Sequence, residues 1–449
     1  MLTTPTYDAV IVGAGPAGSV LALRCAQLGL RVLIVEREAF PRPRIGESIS
    51  AGCLRQLESL GMGEALTALR FPAAQDIRVR WGEDWQTRSD PHPGLLVDRG
   101  DFDALLLRMA QAHGAELWQP ARLLGRQALE QGWRLTLRRG ATEHHVQCRW
   151  LVDASGRQRA LRLPLRRQGP STWALHAEWP KLAASPRLVA VEHGWLWRVP
   201  LPAGRTRIFV FSDAAELRRS RTSTPMASLY RQAVASSGIL DASERAADHD
   251  RVLAVDASAA LLDWPLPAAV LAVGDAAVQI DPLAASGVQL AIQTGLWAAL
   301  VINTALRFPA DREVALRFYQ QALADSAARH QRFAGQHYAA AGLASEFWRA
   351  RCGTLTVDSE RPDQTIVPSL PRLVQLGLAT HWEQAPCALA QRIILHPTLV
   401  CRHSGQRAAF VAGKPLRDLF PDASTRVASR QLPSEALASL LQSGLLRAG

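Results

Sequence analysis

The chain has 449 residues, 48% of them hydrophobic, and a mean hydropathy near zero. This composition describes a soluble globular protein of two or three domains and excludes disordered and collagen-like classes. Its net charge of +11 is almost wholly arginine, since Lys181 and Lys414 are its only lysines, and no nucleic-acid module accompanies that charge.

The N-terminus enters its first strand by Tyr7 with no charged-then-apolar leader, so no signal peptide is expected and the cytoplasm is the expected place of work. The apolar run Ala9-Val10-Ile11-Val12 leads into Gly13-Ala14-Gly15-Pro16-Ala17-Gly18, a glycine-rich turn that opens a helix. Gly13 permits the tight turn, Gly15 lets the backbone approach a pyrophosphate, and Gly18 lets the helix pack against the strand. Pro16 suits a first helical turn, where its missing N–H would have found no partner. The helix carries Val20, Leu21, Leu23 and Leu28 and stops at Gly29. The strand Val32-Leu33-Ile34-Val35 then delivers Glu36 where an acid meets a ribose hydroxyl. Strand, turn, helix, strand and acid in that order predict a dinucleotide held at a helix N-terminus.

A loop over residues 40–48 follows and opens a helical pattern through Leu54, Leu57 and Leu60. Ile77, Val79 and Trp81 alternate as a strand, and residues 95–99 lead into an amphipathic helix over 102–113, closed by Gly114. Residues 121–129, 133–137 and 145–151 alternate as a small antiparallel meander. Val152-Asp153-Ala154-Ser155-Gly156-Arg157 reads as a return to the nucleotide domain, and residues 160–262 are strand-rich, most clearly over 187–200 and 205–211. The basic residues Arg162, Arg166 and Arg167 in this stretch read either as a solvated basic surface or as a patch that steers an anionic or acidic protein partner.

The apolar run 269–273 suits burial in a parallel sheet and ends in Gly274-Asp275. Residues 288–306 carry Gln289, Gln293, Thr294 and Asn303, which argues against a membrane span of about 18 apolar residues. Residues 311–350 read as helix, and Pro362, Pro368 and Pro371 mark a linker near 358–372. Beyond it the pattern predicts a short helical segment, a hairpin over 399–412, and a final helix with Leu437, Leu440 and Leu441 on one face. The six cysteines are scattered without CxxC spacing and read as reduced core residues, and no metal site is expected.

Four of these elements, in this order, resemble the FAD-binding group shared by aromatic hydroxylases, geranylgeranyl reductases and flavin-dependent halogenases. They are Gly13–Gly18 with Glu36, then Val97-Asp98-Arg99 before Phe102-Asp103, then Asp153-Ala154-Ser155-Gly156, and Gly274-Asp275 through Asp281-Pro282 to Ser286-Gly287-Val288. Together they span about three fifths of the chain. The resemblance implies a discontinuous α/β fold: a Rossmann-like FAD-binding domain of the hydroxylase and glutathione-reductase type over 1–74, 95–159 and 251–310. An antiparallel β-sheet substrate domain over 75–94 and 160–250 is inserted into it, and a helical C-terminal region with a small terminal module follows over 311–449.

The implied cofactor set is Gly13, Gly15, Pro16, Ala17, Gly18, Glu36, Arg37, Arg44, Ser48, Arg99, Asp275, Pro282, Gly287 and Val288. In that family the aspartate matching Asp275 holds the ribityl chain. The helix beginning near Ser286 points its N-terminus at the flavin's pyrimidine end, where a positive helix end favours the charge of a reduced flavin.

Two further segments are similar to those of halogenase-like flavoproteins: the loop ending Gly46-Glu47-Ser48, which passes beside the isoalloxazine, and Gly194-Trp195-Leu196-Trp197-Arg198-Val199-Pro200. Arg42, Glu47, Trp195 and Trp197 are therefore expected at the substrate pocket. A loop ion pair and core packing are the competing roles, because indoles at i and i+2 share one strand face. Halogenases of this group carry a lysine on the strand after the loop, whereas residues 75–81 hold Arg78 and Arg80 and no lysine. A guanidinium stays protonated and does not become an amine nucleophile, which argues against halogenation.

A frame of this kind without the lysine also resembles the flavin monooxygenases that mature tryptophylquinone cofactors, as do residues 345–351 and the C-terminal tail. The implied activity is an FAD-dependent monooxygenase that hydroxylates an electron-rich aromatic ring through a flavin C4a-hydroperoxide. Its substrate is a small molecule or a protein-bound tryptophan, the latter implying a protein partner. O₂ is the co-substrate, with NAD(P)H or a partner flavin reductase as electron source. A halogenase, a geranylgeranyl-reductase-like flavoprotein and a non-catalytic FAD-binding assembly factor are the alternatives. No catalytic side chain stands out, in keeping with an indole or phenol that needs little acid or base help.

Overall fold

Parallel strands need apolar residues on both faces, and the runs singled out above have them. Thr6–Val12, Val32–Val35 and Val270–Ala272 are each almost entirely buried. In the computed structural model, which describes residues 5–74, 76–89, 93–180, 182, 185–201, 204–220, 224–241, 244, 251–352 and 373–448, they lie in one seven-stranded sheet. Glu116–Trp118, Val32–Val35, Thr6–Val12, Thr142–Asp153 and Val270–Ala272 run parallel in that sheet. Thr142–Asp153 serves two purposes. Its first part pairs antiparallel with Gly132–Arg139, which pairs with Ala121–Leu129, and its end joins the parallel core.

The register brings Val12, Val35, Asp153 and Ala272 level, so the turns after these strands emerge together at their carboxyl ends. Open parallel sheets bind ligands at that edge. The Pro16–Gln27 helix packs on this sheet, and the Gly287–Arg307 helix crosses it closely. A Cβ at Gly295 would lie 2.6 Å from the Ala17 carbonyl oxygen. The Gly287–Arg307 helix is long and apolar enough to cross a membrane, yet it is mostly buried within the fold.

A second seven-stranded sheet has the order Leu253–Asp256, Thr172–Trp179, Arg205–Asp213, Gly194–Leu201, Arg187–Val191, Ile77–Arg80, Trp85–Arg88. Leu253–Asp256, placed with the nucleotide domain by the sequence reading, is an edge strand here. Alternation divides the residues between two faces. Leu196, Ile208 and Val210 pack with Tyr230 and Val234 of the Met226–Ser236 helix. Trp195, Val199, Phe209 and Phe211 form the opposite face, covered by Tyr338, Phe347 and Trp348.

The helix expected over 311–350 is two helices, Arg312–Ala340 and Glu346–Arg349. Between them Gly342 takes a φ of +66°, the left-handed conformation in which glycine ends helices.

The chain divides into two compact units, Met1–Ile302 with Gln321–Leu355, and Asn303–Gln320 with Thr356–Gly449. In the second unit, residues 373–401 are strands where a short helix was expected. The main hairpin pairs Thr380–Leu389 with Arg392–Cys401, earlier than the predicted 399–412. Its alternation is poor, with Pro386 and Pro397 interrupting it, so the period was hidden from sequence inspection. The final helix, Ser434–Gln442, does bury Leu437 and Leu440, with Leu441 partly buried. The linker prolines lie outside the described residues.

Candidate flavin site

Each glycine of the first turn has its own task. Gly13 has a φ of +111°, and a Cβ there would lie 2.5 Å from the Ala154 carbonyl oxygen. A Cβ on Gly18 would lie 2.1 Å from the Gly13 oxygen. Both glycines are demanded by packing. Gly15 is different, because its backbone is ordinary and, among the described residues, a Cβ would meet only an Arg42 guanidinium nitrogen at 3.9 Å. The protein itself does not need a glycine there, so the space suits a ligand. No side chain caps the helix N-terminus that begins at Pro16, and no acid lies in its first turn.

Glu36 is buried beside this turn. Its carboxylate accepts the N–H groups of Ala14 at 2.8 Å and Glu38 at 2.9 Å, and Arg42 lies 3.6 Å away. The guanidinium of Arg42 also reaches Asp103 at 3.3 Å and covers the Phe40 ring, while its buried Nε has no hydrogen-bond partner among the described residues. Asp103 is fully buried and binds Arg99 through both oxygens, at 2.9 and 3.1 Å. Arg99 in turn donates to the Ile45 carbonyl at 2.6 Å, so one carboxylate fixes two arginines and the loop between them. The sequence motif includes Asp103 without assigning it a role, although its i,i+4 spacing from Arg99 was available as a signal. Arg37 and Arg44 instead pair with Glu38 at half-exposed positions, apart from this buried network.

At the far end of the sheet edge, the Asp275 carboxylate lies 3.3 Å from Arg157. Arg157 also donates to Gln279 and to the Ser258 carbonyl. Gly274 has a φ of +60°, and its N–H donates to Thr294 on the Gly287–Arg307 helix. Asp281 caps the Pro282–Ala284 turn through the Leu283 N–H at 2.9 Å, just before that helix begins. Among the described residues nothing lies within 4 Å of a Cβ built on Gly287, so this helix start is open. The loop through residues 40–48 lies against it. A Cβ on Gly46 would meet Arg99 at 2.9 Å and Val288 at 4.0 Å, and Ser50 just beyond the loop donates to Gln289 at 2.7 Å. Ser48 sits in a short strand paired with Leu96.

Glu47 joins this loop to the second sheet. It forms a buried ion pair with Arg207, which also pairs with Glu178, its cross-strand neighbour. His176 and Phe209 are the next pair along the same face, and burial pulls the His176 imidazole below its ordinary range. Trp195 stacks on Phe211 at 3.8 Å, and its N–H donates to the Tyr338 hydroxyl at 3.2 Å; Trp197 is partly buried on the same face. Arg207 and Tyr338 come from distant segments and carry no local sequence signal. Among the described residues, no three His, Cys, Asp or Glu side chains gather as a metal site.

The residues present fit a flavin adenine dinucleotide. An open Gly15 cradle, an uncapped helix start, a buried acid and a buried arginine with an unsatisfied Nε suit its diphosphate and ribose. A second open helix start lies at the other end of the sheet edge.

The family model described as FAD binding domain matches residues 6–333. A tryptophan 2-halogenase of Chondromyces crocatus is 26% identical over 70% of this chain, and the chain spans only 64% of that relative's length. The solved structure of the flavin-dependent halogenase CmlS superposes with a TM-score of 0.76 at 22% identity, covering 99% of this chain and 96% of the other. That of QhpG, a peptidyl tryptophan dihydroxylase essential for tryptophylquinone cofactor biogenesis, gives 0.74 at 25% identity, covering 97% and 95%.

Proposed function

The chain belongs to the FAD binding domain family, and on that premise we propose that it is an FAD-dependent monooxygenase that hydroxylates an electron-rich aromatic ring. The observation that carries this reading is the strand Ile77–Arg80. It presents Arg78 and Arg80 in place of an amine, with both guanidiniums over Trp85 and Arg80 also bound to the Ser237 carbonyl. Neither is available to accept and deliver an electrophilic halogen. Similarity to the tryptophan dihydroxylase along nearly the whole chain supports a tryptophan held in another polypeptide as the substrate.

In this reading the Gly13–Gly18 turn and the Pro16–Gln27 helix start hold the diphosphate, and Glu36 holds the adenosine ribose. Asp275 would hold the ribityl chain, and the Gly287–Arg307 helix start would serve the pyrimidine end. When bound, FAD supplies the activation of O₂, with electrons from NAD(P)H or a partner flavin reductase. The protein's own groups orient and enclose. Arg207 and Glu47 pair across the loop that would lie beside a bound flavin, and the packed Trp195–Phe211 wall would exclude water from one side. An indole reacts without an acid or base of its own, so orientation is the main demand on the site. The cytoplasm remains the expected place of work.

Likeness to the tryptophan 2-halogenase favours halogenation as the second reading. Turnover of indoles and a tryptophan-containing partner with FAD, a reductant, O₂ and bromide separates the two. Hydroxylated product is expected; brominated product with no hydroxylated product would sink the monooxygenase reading.

A further inference from the structure

We propose that Tyr338 is a positioning residue of the flavin site, tying the carboxylate that precedes the Gly287–Arg307 helix to the indole N–H of Trp195 on the sheet face. The inference rests on the FAD reading above. Tyr338 lies near the end of the Arg312–Ala340 helix and is buried. Its hydroxyl donates to Asp281, whose two oxygens lie at 3.0 and 3.1 Å, and accepts the Trp195 N–H at 3.2 Å. A phenol has one proton to give, and here it goes to the carboxylate while a lone pair receives the indole.

Asp281 uses the same carboxylate to cap the Pro282–Ala284 turn, and Ser286 closes that turn by donating to the Ala284 carbonyl at 2.7 Å. The helix that starts next therefore takes its position partly from Tyr338. Trp195 is held from the other side, stacked on Phe211. One hydroxyl thus links the helix start to the aromatic wall, two parts of the site that the sequence places far apart.

The ring of Tyr338 is fixed independently of its hydroxyl, by edge contacts with Trp348 at 5.7 Å and Phe347 at 6.0 Å. The groups that face Asp281 are the Tyr338 hydroxyl, the Leu283 N–H and the buried cation Arg351, which itself bonds Thr172 at 2.9 Å and Asp213 at 3.4 Å. Burial holds Asp281 above the ordinary aspartate range, and these three groups oppose that rise without reversing it. Burial and the Asp281 charge keep Tyr338 protonated, so it remains a donor throughout the working range.

The test uses the FAD-loaded protein, reading the flavin absorption spectrum and reduction potential against pH, with thermal melting as the control for folding. The wild type is expected to show a transition above the ordinary aspartate range. Tyr338→Phe keeps the ring and removes only the bridge. Its transition should move up by about one pH unit, the roughly tenfold effect of losing one hydrogen bond to a charged group. Asp281→Asn should abolish the transition, and adding Tyr338→Phe to it should change the potential no further, the non-additivity of one residue acting through another. A Tyr338→Phe midpoint that stays put, or a transition that survives in Asp281→Asn, overturns the inference. Should Tyr338→Phe fail to fold, Asp281→Asn alone decides by that same transition. A protein that takes up no FAD overturns the functional reading and this inference together, whereas FAD-bound variants with unmoved midpoints overturn this inference alone.

Discussion

Gly15→Ala and Gly18→Ala should separate what the first turn does for the fold from what it does for a ligand. Gly18 faces the Gly13 carbonyl at 2.1 Å from where a Cβ would sit, so alanine forces backbone apart in a packed layer. The cost is about 1–3 kcal/mol or more. At Gly15 the backbone dihedrals are ordinary, and the nearest atom is the flexible end of Arg42 at 3.9 Å. Alanine there should leave the ligand-free protein within about 0.5 kcal/mol of wild type, or stabilise it slightly by restricting the unfolded chain. The methyl nevertheless fills the space through which a diphosphate approaches the helix start. FAD affinity should fall at least about tenfold, or about 1.4 kcal/mol. Thermal melting of the ligand-free protein and FAD titration by flavin fluorescence measure the two effects. If Gly15→Ala melts as low as Gly18→Ala, or binds FAD like the wild type, the assignment of Gly15 to the ligand is refuted.

Arg207→Leu leaves Glu47 buried without its cation, so chemical denaturation should show a loss of about 3–5 kcal/mol. Glu47→Gln should cost less, because Arg207 keeps Glu178; a loss under about 1 kcal/mol for Arg207→Leu would class the pair with surface ion pairs. His176 is buried and held below its ordinary 6.5. The unfolded chain therefore takes up its proton first, and stability is lost as pH falls through the range from 6.5 down to the folded value. His176→Gln should remove that part of the decline in melting temperature on acidification; an unchanged decline refutes it.

Local physics made much of the nucleotide domain legible. The parallel core strands announce themselves by unbroken apolar runs, and the Gly13–Gly18 turn by the steric demands of a strand-to-helix junction. The Arg312–Ala340 break was less visible, because Gly342 sits in a stretch whose composition otherwise suits a helix. The hairpin Thr380–Leu389 with Arg392–Cys401 was misplaced, since prolines and mixed polarity blur its alternation. In the site, the role of Asp103 was within reach through its spacing from Arg99, but the pairing of Arg157 with Asp275 and the roles of Arg207 and Tyr338 were not.

The sequence by itself determined the local parts of a dinucleotide-type turn, because turn, helix start and acid lie within thirty residues and their chemistry is local. Only the tertiary structure decided which glycines serve packing and which leaves room for a ligand, since that depends on Ala154 and Arg42 brought in from elsewhere. It likewise joined Glu47 to Arg207 and Asp281 to Trp195 through Tyr338. Such pairings arise when two sheets and a long helix close on one another. They connect residues 57 to 160 positions apart, and no spacing rule along a single element reaches that far.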